Sequence, residues 1–117
     1  MKRLYAFKYA FTGIVSFFKK DINGQLELMA AIVAIAAGWF FHISGLQWVT
    51  VLLCTGSVLT LEMINTSIEK LCDMIQPEYH PQIKIIKDVA AGAVLLSAVV
   101  SLVIGIIIFY PHIILLF

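Results

Sequence analysis

The sequence predicts an all-α integral membrane protein, folded as one domain over residues 1–117. Of its residues, 62% are hydrophobic and 13% are charged, and the mean hydropathy is +1.00. Soluble domains average about 45–50% apolar and about 25% charged residues, so most of this chain is suited to lipid. The apolar residues fall into one amphipathic segment and three long apolar segments, which predicts a surface helix followed by three transmembrane helices.

The first twenty residues have the pattern of an amphipathic helix. Apolar side chains recur at steps of three and four residues, at Leu4, Phe7, Phe11, Ile14, Val15 and Phe18. Cationic side chains accompany them at Lys2, Arg3, Lys8, Lys19 and Lys20. The pattern predicts a helix over 1–20 that lies in the membrane surface. A secretory signal peptide is the alternative, but the lysines interrupt the apolar stretch that such a peptide requires.

Three apolar segments follow, over 26–43, 46–68 and 88–110. Each approaches the roughly 20 residues that a helix needs to cross the hydrocarbon. His80-Pro81 is a helix start signal upstream of the third span. Pro111 is expected to end or kink that span before the apolar tail 113–117.

The distribution of charge predicts the orientation. The segment 42–47 between the first two spans has no Lys, Arg, Asp or Glu, whereas 70–88 holds Lys70, Lys84 and Lys87. All eight Lys and Arg residues therefore fall on one side, which the positive-inside bias makes cytoplasmic, with the amino terminus inside. The net charge of +1 gives no reason to expect nucleic acid as a partner.

A polar stripe marks the second span. Three carboxylates and one amide, Glu62, Asn65, Glu69 and Asp73, are separated by three, four and four residues, which places them within an arc of about 80° on one helix face. An ionised group at membrane depth costs roughly 2.5–3.5 kcal/mol, so the stripe requires compensation. A Mg²⁺ ion is the simplest candidate, since it binds one or two carboxylates together with water and phosphate oxygens.

The alternative interpretation is that the stripe is only the solvated end of a long helix. This accounts for Asp73 and Glu69 but not for Glu62, which follows the apolar run 58–61. Lys87-Asp88, at the start of the third span, adds a cation that would reach either the stripe or a phosphate. Metal ions, cations and a carboxylate that accepts a hydroxyl proton are what phosphoryl transfer requires.

These residues resemble a known family. The stretch from Glu62 to Asp73, then Glu78-Tyr79-His80-Pro81 and the segment 87–94 are similar to the signature of the prokaryotic diacylglycerol kinase and undecaprenol kinase family. The resemblance implies a homotrimer in the bacterial cytoplasmic membrane, with composite active sites that use MgATP to phosphorylate a lipid alcohol. The chain has no Gly-x-x-x-x-Gly-Lys-Ser/Thr motif, which agrees with a kinase that lacks a P-loop. The segment 87–94 favours undecaprenol over diacylglycerol.

The resemblance also implies roles for individual residues. Glu62 is the expected general base for the lipid hydroxyl, and Glu69 the expected metal ligand. Nucleotide-binding roles are expected for Asn65, Glu69, Asp73, Lys87 and Asp88. A second metal ligand is expected at Asp21, where the family often has Glu, with Glu27 as the alternative. Lys2 or Arg3 is expected to contact either the nucleotide or anionic headgroups.

A different class of function is also compatible with the residues alone. A small oligomeric transporter or scaffold would use Glu62 as a proton or ion site, because intramembrane carboxylates serve such roles. A transporter has no reason to combine Asn65, Asp73 and Lys87-Asp88 in one cluster, and it is not expected to bind MgATP.

Overall fold

The computed structural model describes residues 2–117 and is entirely helical over its regular elements. It contains four helices in the order α1 (Lys2–Lys20), α2 (Ile22–Phe41), α3 (Gly45–Ile75) and α4 (Pro81–Leu116). Within the described residues, α2, α3 and α4 are long and apolar enough to cross a membrane. Helix α3 packs against α4 and, less extensively, against α2, whereas α2 and α4 barely touch.

The helix ends differ from the predicted span limits, and capping explains where two of them lie. Helix α2 begins at Ile22 rather than 26 because Asp21 caps it, accepting a hydrogen bond from the Gly24 N–H. It ends at Phe41, since His42 adopts the left-handed conformation, with φ at 52°. Helix α3 runs seven residues beyond the predicted limit of 68, to Ile75.

Helix α4 is longer than predicted at both ends. His80 caps it through Nδ1, which accepts a hydrogen bond from the Gln82 N–H, and Pro81 occupies its first position, as the start signal indicates. Pro111 was expected to end or kink the span, and the first of these two outcomes is wrong, because the helix continues through Pro111 to Leu116. Pro111 removes only one backbone hydrogen bond, and little more than a turn follows it.

Few side chains are buried within the chain, and most large apolar side chains on the three long helices are exposed. A small core of Ile43, Val51 and Ile108 joins these helices near the turn between α2 and α3. Exposed apolar surface of this extent suits contact with lipid or with other helices rather than with water. The opposite end of the bundle, where α2 begins, α3 ends and α4 begins, carries the charges, and is called the charged end below.

Candidate functional site

The predicted stripe lies on α3, and its members differ in burial. Glu62 and Asn65 are buried, with 4% and 6% of their surfaces exposed, whereas Glu69 and Asp73 are exposed. Because α3 is continuous from Gly45 to Ile75, all four lie along the same side of one helix. The stripe therefore leads from the interior of the bundle at Glu62 to the surface at Asp73.

Asp21 lies next to Glu62 although the two residues are 41 positions apart in sequence. Its Oδ1 accepts from the Gly24 N–H at 2.8 Å, and its Oδ2 accepts from the Thr66 hydroxyl at 2.6 Å. Thr66 Oγ1 also lies 3.5 Å from Glu62 Oε1, at the limit of hydrogen-bond distance. Asp21 is thus held beside the expected base by both of its carboxylate oxygens.

The close turn between α1 and α2 makes this placement possible. Asp21 is the only residue between the two helices, and its N–H donates to the Phe17 carbonyl at 2.9 Å. The Gln25 side chain donates to the Phe18 and Lys19 carbonyls and so satisfies the end of α1. Gly24 packs directly on Phe17, because a Cβ at position 24 would lie 2.5 Å from the Phe17 ring.

Three carboxylates lie near one another where α2 begins. Asp21, Glu27 and Glu62 are close enough for their charges to repel. Glu27 Oε2 is buried and finds no hydrogen-bond partner among residues 2–117. An ionised oxygen in that position is stable only with a donor or a cation from elsewhere.

Asn65 lies between the buried and the exposed parts of the stripe. Its Nδ2 donates to Glu69 Oε1 at 3.2 Å, which holds that carboxylate against α3. Its buried Oδ1 has no partner within residues 2–117. Asn65 Oδ1 is therefore a buried acceptor that a donor or a cation from outside these residues would satisfy.

The two lysines at the start of α4 are engaged by carboxylates. Lys87 Nζ contacts Asp73 Oδ1 at 2.5 Å and so joins α4 to the exposed end of the stripe. Lys84 pairs with Asp88 on the same helix. Asp88 therefore faces Lys84 rather than the stripe, and its side chain is 62% exposed.

The residues can be tested for their fit to a magnesium ion. Across the described chain, no three Asp, Glu, His or Cys side chains are arranged to enclose a metal. Mg²⁺ needs no such cage, since it is commonly held by one or two carboxylates and substrate phosphates. Glu69 and Asp21 each provide a carboxylate at the charged end, so the donor set fits a magnesium ion that arrives with a nucleotide.

An apolar groove begins at Glu27, one of the three carboxylates. Its volume is about 530 Å³, and α2, α3 and α4 all contribute to its walls. Glu27 lies at the charged end of the groove, and Tyr110 lies towards the other. Several small side chains line it, namely Ala30, Ala31, Ala34, Ala37, Ala98, Ser101 and Gly105. The groove therefore leads from Glu27 towards the middle of the apolar helices.

Sequence reasoning missed two residues that build this site. Thr66 is four residues after Glu62, and that spacing places the two side chains on neighbouring positions of one helix face. This signal was available, although it did not reveal the contact with Asp21. Gly24 gave no signal, because its role depends on how α1 packs against α2.

Comparisons with known proteins agree with this architecture. The sequence profile of the prokaryotic diacylglycerol kinase family matches residues 8–109. The undecaprenol kinase of Bacillus subtilis is 37% identical over 106 residues, covering 91% of this chain and 86% of that protein. The diacylglycerol kinase of Synechocystis is 32% identical over 103 residues, which span 87% of this chain and 59% of that protein. The diacylglycerol kinase of Escherichia coli is 23% identical over 104 residues, 89% and 85% of the two chains.

The family match and the named relatives, together with three helices long and apolar enough to cross a membrane, identify a membrane-embedded kinase that acts on lipids. The chain belongs to the prokaryotic diacylglycerol kinase family. The resemblance noted in the sequence is therefore confirmed. The transporter or scaffold alternative is not retained, because the relatives are named as kinases.

Proposed function

We propose that this protein transfers the γ-phosphate of ATP to the hydroxyl of a membrane lipid alcohol, with undecaprenol favoured over diacylglycerol. The observation that carries the proposal is the position of Glu62. This carboxylate is buried on α3 at the charged end of the bundle, near Glu27, which lines an apolar groove. A base placed there meets a lipid from the membrane side and a nucleotide from the aqueous side.

The proposed reaction is a direct transfer. Glu62 accepts the proton of the lipid hydroxyl while the hydroxyl oxygen forms a bond to the γ-phosphorus of ATP. The bond between that phosphorus and the bridging oxygen breaks, and ADP leaves with the electron pair. No covalent enzyme intermediate is needed.

The nucleotide would lie against the exposed part of the stripe. Asn65 offers an amide near the phosphates, and Lys87 offers a cation that now contacts Asp73. Asp73 and Asp88 would support the nucleotide from the ends of their ion pairs with Lys87 and Lys84. Magnesium held by Glu69 and Asp21, or by Glu27 in place of Asp21, would neutralise phosphate charge. Lys2 or Arg3 would add a contact to the nucleotide or to lipid headgroups.

The size of the chain supports an oligomer, and the family resemblance supports three subunits. One subunit leaves the groove and the acids partly open, and three thin helices cannot enclose both a nucleotide and a lipid. We infer a homotrimer in the bacterial cytoplasmic membrane, with the charged end cytoplasmic and α1 on the membrane surface. Neighbouring subunits would then complete each site.

The preference for undecaprenol rests on the sequence. The segment 87–94 resembles the undecaprenol kinase branch of the family, and the undecaprenol kinase of Bacillus subtilis is 37% identical to this chain. The α4 wall of the groove extends from Ala98 to Ile113, about 22 Å at 1.5 Å per residue, and its apolar lining suits the hydrocarbon part of a lipid alcohol.

The test is a kinase assay on purified protein in lipid bilayers. Equal amounts of undecaprenol and diacylglycerol are supplied with γ-labelled ATP and magnesium, and label in the lipid fraction is measured over time. Each lipid is then titrated separately at saturating ATP, and we expect undecaprenol to have the higher kcat/KM. Bilayers without a lipid alcohol provide the blank. Label in neither lipid would refute the proposed activity, and a higher kcat/KM for diacylglycerol would refute the assigned preference.

A further inference from the structure

The hydroxyl of Thr66 makes an unusual contact for a threonine in α3. Thr50, Thr55 and Thr60 each donate to a carbonyl of their own helix within the preceding turn. Thr66 instead donates to Asp21 Oδ2, at the beginning of α2, at 2.6 Å. Its hydroxyl therefore spans two helices rather than satisfying α3 itself.

This contact restrains a carboxylate that its surroundings would otherwise move. Asp21 and Glu62 are close enough to repel, and both belong to the same cluster of acids. The Gly24 N–H donates a hydrogen bond to one oxygen of Asp21. This hydrogen bond alone would leave the carboxylate free to rotate about it. The Thr66 hydroxyl fixes the second oxygen and so sets the plane of the carboxylate beside Glu62.

We propose that Thr66 is a positioning residue of the phosphoryl-transfer site, acting through Asp21. Its hydroxyl keeps the short Asp21 side chain turned towards Glu62, where the carboxylate can serve a magnesium ion that arrives with ATP. The inference rests on the proposed function and extends it to a residue that touches neither substrate. The interaction that does this is the hydrogen bond from the Thr66 hydroxyl to the Asp21 carboxylate. A hydrogen bond to an ionised carboxylate is stronger than one between neutral groups.

The test compares two substitutions at one position. Thr66→Val keeps the shape and removes the hydroxyl, whereas Thr66→Ser keeps the hydroxyl and removes the methyl group. We expect Thr66→Val to raise the magnesium concentration for half-maximal activity about tenfold and to weaken binding of a non-hydrolysable ATP analogue in the presence of magnesium. In Thr66→Ser, the half-maximal magnesium concentration and the affinity for the analogue should both stay within about twofold of those of the unaltered protein. Thr60→Val is the matched control, because the Thr60 hydroxyl bonds only within α3.

A double-mutant cycle separates this role from a merely structural one. If Thr66 acts through Asp21, Thr66→Val should have little further effect on magnesium-dependent binding in an Asp21→Asn background. Additive effects of the two substitutions would overturn the inference. Unchanged binding in Thr66→Val would also overturn it, provided that the unaltered protein phosphorylates lipid.

The outcome remains distinguishable from failure of the proposed function itself. An unaltered protein that labels no lipid refutes the kinase proposal, whatever the Thr66 variants do. Thermal unfolding of each variant in detergent identifies loss of fold, and Thr66→Ala provides a second variant that lacks the hydroxyl. Equal loss of analogue binding in Thr66→Ser and Thr66→Val would assign the effect to the methyl group and overturn the role of the hydroxyl.

Discussion

Replacing Glu62 by Gln is the sharpest test of the proposed base. Glu62→Gln keeps the size of the side chain and removes its ability to accept a proton from a lipid hydroxyl. General-base catalysis typically contributes about 10²–10⁴ in rate, which corresponds to about 2.7–5.4 kcal/mol of activation free energy. We therefore expect kcat to fall by at least about 100-fold.

The surroundings of Glu62 make unfolding a poor explanation for such a loss. The side chain is buried, and Asp21 and Glu69 repel its charge, with Thr66 Oγ1 at 3.5 Å from Oε1. A neutral amide removes this repulsion and can donate to a neighbouring carboxylate. The midpoint of thermal unfolding should consequently stay the same or rise.

The assay combines turnover, nucleotide binding and thermal unfolding in the same detergent or bilayer. Binding of a non-hydrolysable ATP analogue should change by less than about threefold, because Glu62 is not assigned to the nucleotide. Ser67→Ala, five positions along α3 and on the opposite side of the helix, is the control and should retain full turnover. Turnover within fivefold of the unaltered protein would show that Glu62 is not the base.

Three further predictions concern the metal, the groove and the turn between α1 and α2. Glu69→Gln should raise the magnesium requirement several-fold with partial recovery at high magnesium, and an unchanged titration would remove Glu69 from metal binding. Ala34→Leu should narrow the groove and raise the KM for lipid but not the KM for ATP. Ala36→Leu, on the exposed side of α2, is the control and should change neither KM. An equal rise of the KM for lipid in both variants would argue against a lipid chain in the groove. Gly24→Ala should destabilise the protein by about 1–3 kcal/mol, because the new Cβ would meet the Phe17 ring at 2.5 Å. Gly13→Ala, with open space around it, should not lower the unfolding midpoint, and an equal loss in both variants would contradict the packing argument.

The helices were predictable because hydropathy and periodicity are local properties of the sequence. Their ends depend on individual capping residues, and of these only His80-Pro81 was predicted as the start of a helix. Asp21 also caps a helix, but it was considered only as a metal ligand. Pro111 does not end α4, one of the two outcomes expected of it, since a proline near the end of a helix removes a single backbone hydrogen bond.

The candidate site was predictable only along α3. Helical spacing was sufficient to place Glu62 and Asn65 on one face, and the structure adds that these two are the buried members. The contact between Asp21 and Thr66 joins residues 45 positions apart, and no local pattern reports how α2 packs against α3. The groove at Glu27 could not be predicted for the same reason, because three separate helices form its walls.

The balance of charge at the site gives a reason to look outside the chain for its partner. The lysines that begin α4 are paired with Asp73 and Asp88, and among residues 2–117 no Lys or Arg forms an ion pair with Asp21, Glu27 or Glu62. Those acids can be neutralised by protons or by an added cation. Protonation of Glu62 would remove the base that the reaction needs. A cation that arrives with the nucleotide instead leaves the base ionised, so activity should appear only when magnesium and ATP are bound together.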